Sequence, residues 1–372
     1  MSHPYKHLPD HAFWRSSVGD VLPSQVDPVV SAPFVIDKST KIATAGSCFA
    51  QHIARHLTGH GFDFLVTEQA HPLVSQQLAT KFGYGTFTAR YGNIYTSRQL
   101  LQLLHRAYGT GALAGRSSQG ANGPRRADDI WMGAENTFVD AYRPLIQPGG
   151  FQTRAELLAD RESHLACVRR AFEELDVFIF TLRLTECWGD KTTGAVYPLC
   201  PGVAGGTFNA DEHFFHNLGV HEVVADLREF ADLLAARNAE AKVILTVSPV
   251  PLVATASGQH VLSATTYSNS VLRVAAETLT NTRANVAYFP SYEIITGQFS
   301  RGKYFAEDLR SVTEEGVAHV MRLFLKHFAG VEPQVEPQWQ APKAQQSNSF
   351  IEKMAHVVDV NCDEEALDQP SS

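Results

Sequence analysis

Short apolar runs alternate with amphipathic stretches along most of this chain, and that alternation limits the fold more than any other feature. Lys41 to Ala45 (KIATA), Phe62 to Val66 (FDFLV), Asp176 to Leu182 (DVFIFTL), Ala241 to Ser248 (AKVILTVS) and Val286 to Phe289 (VAYF) each read as a strand. Between and after them, apolar residues recur at helical spacing over Phe49–Gly59, Thr96–Tyr108, Thr153–Leu175, Val220–Arg237, Ala264–Leu279 and Thr313–Phe328. Strands that alternate with helices form βαβ units and so a parallel sheet. The expected architecture is an α/β fold, a three-layer α/β/α sandwich on a five-stranded parallel sheet. Segments 41–46, 177–182, 243–248 and 286–289 are expected as parallel neighbours, with functional residues at the carboxyl ends of the strands.

Three stretches fall outside the pattern. Residues 1–35 are mixed and Pro-containing, an irregular arm ahead of a domain over 36–330. Residues 109–128 are Gly- and Ser-rich without periodicity, as in a flexible surface insertion. Residues 331–372 are rich in Pro, Gln, Ser and Asp and lack an apolar face, so they read as a mostly disordered tail.

A chain of 372 residues, 44% of them hydrophobic, can bury one large core or two modest ones. Its formal charge of −8, without a basic run, argues against nucleic acid or an anionic membrane surface as a partner. No stretch approaches the ~20 apolar residues of a membrane helix, and residues 1–20 hold no apolar run of signal-peptide length. The cysteines, at 48, 167, 187, 200 and 362, are scattered and form no CxxC pair. That pattern fits neither a disulfide framework nor a zinc ribbon, and the chain reads as cytoplasmic and reduced. The sequence leaves the oligomeric state open.

The densest site signal is Ala43 to Leu57 (ATAGSCFAQHIARHL). A buried strand ends at Gly46 and a helix begins at once. Glycine permits the tight turn. The helix N-terminus offers free N–H groups and a positive dipole end, which lower the pKa of a nucleophile there and can hold an oxyanion. A plain strand–turn–helix packed with small residues would look the same.

AGSCFAQ resembles the signature for which the GSCFA family is named. The likeness continues in Phe82–Leu100 (FGYGTFTARYGNIYTSRQL), Phe180–Trp188 (FTLRLTECW), Thr246–Pro251 (TVSPVP) and Phe289–Ile294 (FPSYEI), and these islands cover most of 40–325. That family is similar to a branch of the SGNH, or GDSL, hydrolases. The resemblance therefore implies an SGNH-hydrolase-like (flavodoxin-like) sheet and acyl-ester chemistry, in which a nucleophile attacks an ester, a histidine serves as base and an aspartate orients it. It implies an acyl-ester hydrolase or O-acyltransferase whose substrate is a small-molecule or glycan ester. No cofactor is implied.

Laid on the Gly-Asp-Ser block of those enzymes, Gly46-Ser47-Cys48 puts Cys48 at the nucleophile position. A shift by one residue makes it Ser47. Both stand, and Cys48 is favoured because a thiolate at a helix N-terminus needs less help. The late block falls on Asp308-Leu309-Arg310-Ser311, with Asp308 as orienting carboxylate and Ser311 where the histidine is expected. Either another histidine is the base (His52, His213, His216, His260 or His319), or the chemistry differs, or catalysis is weak or absent, as in an inactive binding protein on the same fold. Thr185 and Glu186 stand in the place of the oxyanion-hole Asn-Asp pair. Gly92 and Asn93 are preferred to Gly83 and Gly85 as the second oxyanion donor, and Ser248 to Pro251 reads as a rigid pocket wall. The pair His213-x-x-His216 has helical ligand spacing, but no HExxH-type motif accompanies it, so no metal is expected.

Overall fold

The computed structural model describes residues 3–111 and 129–331. The expected insertion, beyond Gly111, and the expected tail, beyond Val331, lie outside the described residues. The described chain divides into two compact units, one over 38–288 and one that combines 3–37 with 289–331.

In chain order the elements are β1 (Ile42–Gly46), α1 (Cys48–Gly59), α2 (Gln76–Lys81), α3 (Ser97–Tyr108), β2 (Ile130–Met132), β3 (Phe138–Asp140), α4 (Arg154–Glu174), β4 (Val177–Leu182), β5 (Glu186–Asp190), β6 (Val196–Tyr197), β7 (His213–Asn217), α5 (Val220–Ala235), β8 (Lys242–Val247), α6 (Val261–Thr280), β9 (Val286–Tyr288), α7 (Ser291–Thr296) and α8 (Glu314–Phe328). Strands β1, β4, β8 and β9 form one parallel sheet in the order β1-β4-β8-β9. Every residue of β1 and β4 is buried. Strands covered on both faces are continuous apolar runs, which is why their sequences show no alternation. Helices cover both faces; α1 packs on β1 and β4, and α6 on β8 and β9.

The sheet has four strands rather than the expected five. Phe62 to Val66 does reach the free edge of β1, but it pairs there at a single point, Phe64 with Ile42, in parallel. Ile42 N–H donates to Asp63 O and Leu65 N–H to Ile42 O, both at 2.9 Å. The chain then leaves the edge, because Thr67 N–H turns to Thr88 O at 2.8 Å. Thr88 itself covers the next stretch of β1, its hydroxyl accepting from Thr44 N–H at 3.0 Å.

The helix starts follow local chemistry. Thr96 and Thr153 each cap a helix in a capping box, with Gln99 and Glu156 reaching back. Two small antiparallel sheets were not anticipated, β2-β3 and β6-β5-β7.

The second unit is built around α8. His319 joins the Tyr304 hydroxyl at 2.7 Å and Val26 O at 3.0 Å. Lys326 and His327 both reach Asp27 at 2.7 Å, and Ile36 N–H donates to Phe328 O at 2.6 Å. The N-terminal arm has only short tight turns and single helical turns of its own, and these contacts fasten it to α8.

Candidate functional site

The first strand hands the chain directly to α1. Gly46 has a φ of 141°, and a Cβ there would stand 2.7 Å from Thr181 O and 2.8 Å from Thr181 Cβ. Gly46 and Thr181 are register partners on β1 and β4, so only glycine lets the two strand ends close together. Ser47 is extended (φ −85°, ψ −176°) and precedes the first helical residue, Cys48. Ser47 is fully buried, its Oγ forms no cap bond, and among the described residues it has no hydrogen-bond partner. The Cys48 side chain lies outside the described residues.

Other segments bring polar groups to the same strand ends. Residues 93–95 cross the ends of β1 and β4: Ile94 N–H donates to Gly46 O at 2.9 Å, and Tyr95 O accepts from Arg183 N–H at 3.2 Å and Leu184 N–H at 3.0 Å. Asn93, buried, stands one residue before this contact, and Gly92 makes the turn ahead of it at φ 68°. Thr185 is fully buried. Its N–H donates to Ser268 Oγ at 3.1 Å and its carbonyl accepts from Leu218 N–H at 2.9 Å. That leaves its hydroxyl, which like the buried Thr181 hydroxyl has no partner among the described residues.

Glu186 faces another task. Its carboxylate accepts from Thr255 Oγ1 and, at 3.1 Å, from Ala256 N–H, which closes the loop after β8. Ser248 to Pro251 is fixed from two sides. Ser248 Oγ accepts from Val250 N–H at 3.3 Å, and the buried Arg183 guanidinium donates to Val250 O and, at 3.0 Å, to Pro251 O.

The candidate histidines separate clearly. His213 and His216 lie on β7, a strand and not a helix, so three positions apart they point to opposite faces. His216 Nε2 pairs with Glu222 at 2.8 Å, and His213 Nδ1 accepts from Asn209 N–H at 3.1 Å. His260 caps α6, and both ring nitrogens of His319 are engaged within the second unit. His52 sits on the first turns of α1, four residues after the helix's first residue, and is buried. Burial, with Arg55 and His56 nearby, pushes its pKa down to about 4, which keeps it neutral.

Asp308 and Ser311 belong to the second unit. Asp308 Oδ1 accepts from Arg310 and Ser311 N–H, each at 2.9 Å, and Oδ2 accepts from Ser311 Oγ at 2.6 Å. Burial works to raise the Asp308 pKa, but these donors outweigh it and hold it below the usual carboxylate value.

The sequence reading missed a buried network of charges in the first unit. His164 Nδ1 meets Glu68 at 2.7 Å, Arg90 bridges Glu68 and Asp160, and Arg143 bridges Asp160 and Asp140. Asp140 also accepts from Arg161 at 2.7 Å. The one signal in the sequence was the placing of Arg161 and His164 on the inward side of α4. Among the described residues no group of three or more acidic, His or Cys side chains is arranged to hold a metal, and no helix is long and apolar enough to cross a membrane.

These features define an α/β protein whose parallel sheet brings a strand–Gly–helix turn and buried polar strand ends to one rim. Comparison with curated proteins finds no match. The sequence profile of the GSCFA family matches residues 41–324, which hold that turn and every strand of the sheet, and the chain belongs to this family.

Proposed function

We propose that the protein is an SGNH-type acyl-ester hydrolase or O-acyltransferase that acts on a small-molecule or glycan ester. The observation that carries this reading is the Gly46–Ser47 turn at the start of α1, together with buried hydroxyls on Ser47, Thr181 and Thr185 that bond to nothing else among the described residues. A hydroxyl buried without a partner costs stability. It is also what an oxyanion hole needs in place before the charge develops.

Cys48, first in α1, has the positive end of the helix dipole beside it, which favours the thiolate. The thiolate adds to the ester carbonyl, the alkoxide leaves and takes a proton, and a thioester remains. Water then gives hydrolysis, and an acceptor hydroxyl gives acyl transfer. His52 in its neutral form suits the role of proton acceptor, and Ser47 is the alternative nucleophile.

A second reading, a binding protein on an inactive hydrolase fold, is favoured by the Asp308 turn, where Ser311 and the Arg310 and Ser311 N–H groups, not a histidine, occupy the carboxylate. Exposure of the wild type, Cys48→Ala and Ser47→Ala to an activated aryl ester and to a fluorophosphonate, followed by peptide mass mapping, tests both. Adduct lost in Cys48→Ala and kept in Ser47→Ala supports the thiolate mechanism. The reverse assigns the serine. No adduct on residues 46–48 in any of the three proteins refutes the enzyme and leaves the binding protein.

A further inference from the structure

The charge network in the first unit ends in a recess that shares Asn93, but none of its charged or imidazole groups, with the proposed ester site. Arg106, Arg143 and His164 line it, with Leu103, Val196 and Pro198 as its apolar side. Each of the three polar side chains has a nitrogen without a hydrogen-bond partner among the described residues: Arg106 Nε, Arg143 Nη1 and His164 Nε2. Arg143 is 3% exposed and His164 0%, while Arg106 as a residue is partly buried.

The chemistry of the three nitrogens differs. Arg143 gives Nε to Asp140 at 2.9 Å and Nη2 to Asp160 at 2.7 Å, which leaves Nη1. Arg106 lies 3.6 Å from the Tyr142 ring centroid and forms no salt bridge among the described residues, unlike Arg90, Arg143 and Arg161. The Arg106 Nε is shut off from solvent although the residue as a whole is only partly buried, and burial of the guanidinium lowers its pKa, against the attraction of Asp140. His164 is held neutral, its pKa pushed down to about 4 by burial and by Arg143. Its Nδ1 faces the Glu68 carboxylate at 2.7 Å. Burial alone would raise the Glu68 pKa, but His164 and its other partners bring it to about 2, so Glu68 is ionised and can only accept. The imidazole proton therefore sits on Nδ1, and Nε2 presents a lone pair. The recess thus offers two cationic donors and one acceptor. It is narrow, with room for a few non-hydrogen atoms and not for a ring system.

We propose that this recess binds a small oxyanion that keeps one hydroxyl proton, of the hydrogen-phosphate, bicarbonate or 2-hydroxycarboxylate kind. Its negative oxygens meet Arg106 and Arg143, and its hydroxyl donates to His164 Nε2. An anion without a hydroxyl would leave that acceptor unmet, and buried acceptors left without donors penalise binding strongly.

Isothermal titration of the full chain at pH 7 with phosphate, bicarbonate and glycolate, against sulfate and acetate, tests this and separates the three sources. The expected result is saturable binding of at least one hydroxyl-bearing anion, at least tenfold tighter than its partner without the hydroxyl (phosphate against sulfate, glycolate against acetate). Arg106→Gln should weaken it at least tenfold, while Arg273→Gln, on α6, leaves it unchanged. Equal affinity for anions with and without the hydroxyl, no binding at 10 mM of any of them, or full binding by Arg106→Gln each overturns the proposal. The comparison between anions needs no variant, so it holds even if Arg106→Gln fails to fold.

Discussion

Gly46→Ala is the substitution whose cost follows most directly from the geometry. At φ 141° an alanine pays the strain of a backbone region open almost only to glycine, about 1–3 kcal/mol. Its Cβ would also stand 2.7, 2.8 and 2.9 Å from the O, Cβ and N of Thr181. Two of these are backbone atoms of a central strand that is bonded on both edges, so they cannot move aside as a flexible side chain would. Overpacking of this kind adds about 1–3 kcal/mol. The sum, roughly 2–6 kcal/mol, is a large part of the 5–15 kcal/mol that holds a typical domain folded. Gly92 is the control. It too has positive φ, 68°, but open space surrounds its missing Cβ, so Gly92→Ala should cost only about 1–2 kcal/mol. Urea unfolding followed by tryptophan fluorescence compares the two. At a slope of about 3 kcal/mol per molar, a 4 kcal/mol loss moves the midpoint down by about 1.3 M. If Gly46→Ala unfolds at the same urea concentration as Gly92→Ala, the closeness of the β1 and β4 ends is not what requires glycine, and the account of the turn fails.

Acid should unfold the protein in a defined window. Burial lowers the pKa of His52 and of His319 to about 4 against an ordinary 6.5; the unfolded chain then binds more protons between those values, so stability is complete above pH 6.5 and falls toward pH 4 by up to about 1.4 kcal/mol per pH unit for each histidine. Urea midpoints identical at pH 7 and pH 5 would contradict this. Thr185→Val replaces an unpartnered buried hydroxyl by a methyl group of the same shape, so it should change stability by less than about 1 kcal/mol yet slow ester labelling at least tenfold; unchanged labelling removes Thr185 from the oxyanion site.

How much could be read from the sequence depended on where each element's partners lie. β1, β4, β8 and β9 were legible because strands buried on both faces must be apolar throughout, whatever their neighbours. Phe62 to Val66 looks the same on paper, but its length as a strand is decided by Thr88, more than twenty residues away, which takes up the hydrogen bonds beyond Phe64. β5 and β7 escaped notice because each is half-exposed and mixed in character. His213 and His216 looked like a helical pair only because spacing was judged without knowing the element. At the site, the Gly46–Ser47 turn was visible because strand, glycine and helix are contiguous. The charge network was not, since Glu68 and His164 are 96 positions apart and Arg90 and Asp160 are 70 apart. Taken singly, such residues look like a solvated surface.

The two polar regions of the first unit differ in a way that bears on function. In the network, carboxylates and guanidiniums are matched pair by pair, and a matched set adds rigidity even where its net contribution to stability is small. Among the described residues, Arg143 Nη1 and His164 Nε2 are left without a partner, and both residues line the recess. At the strand ends the hydroxyls of Ser47, Thr181 and Thr185 have no partner among the described residues, and folding alone would tolerate alanine or valine in their place. One region keeps unused cationic donors beside a neutral acceptor. The other keeps unused hydroxyls beside a helix N-terminus. On the two proposals made above, the first holds an anion that is already formed when it binds, and the second an anion that forms only during a reaction.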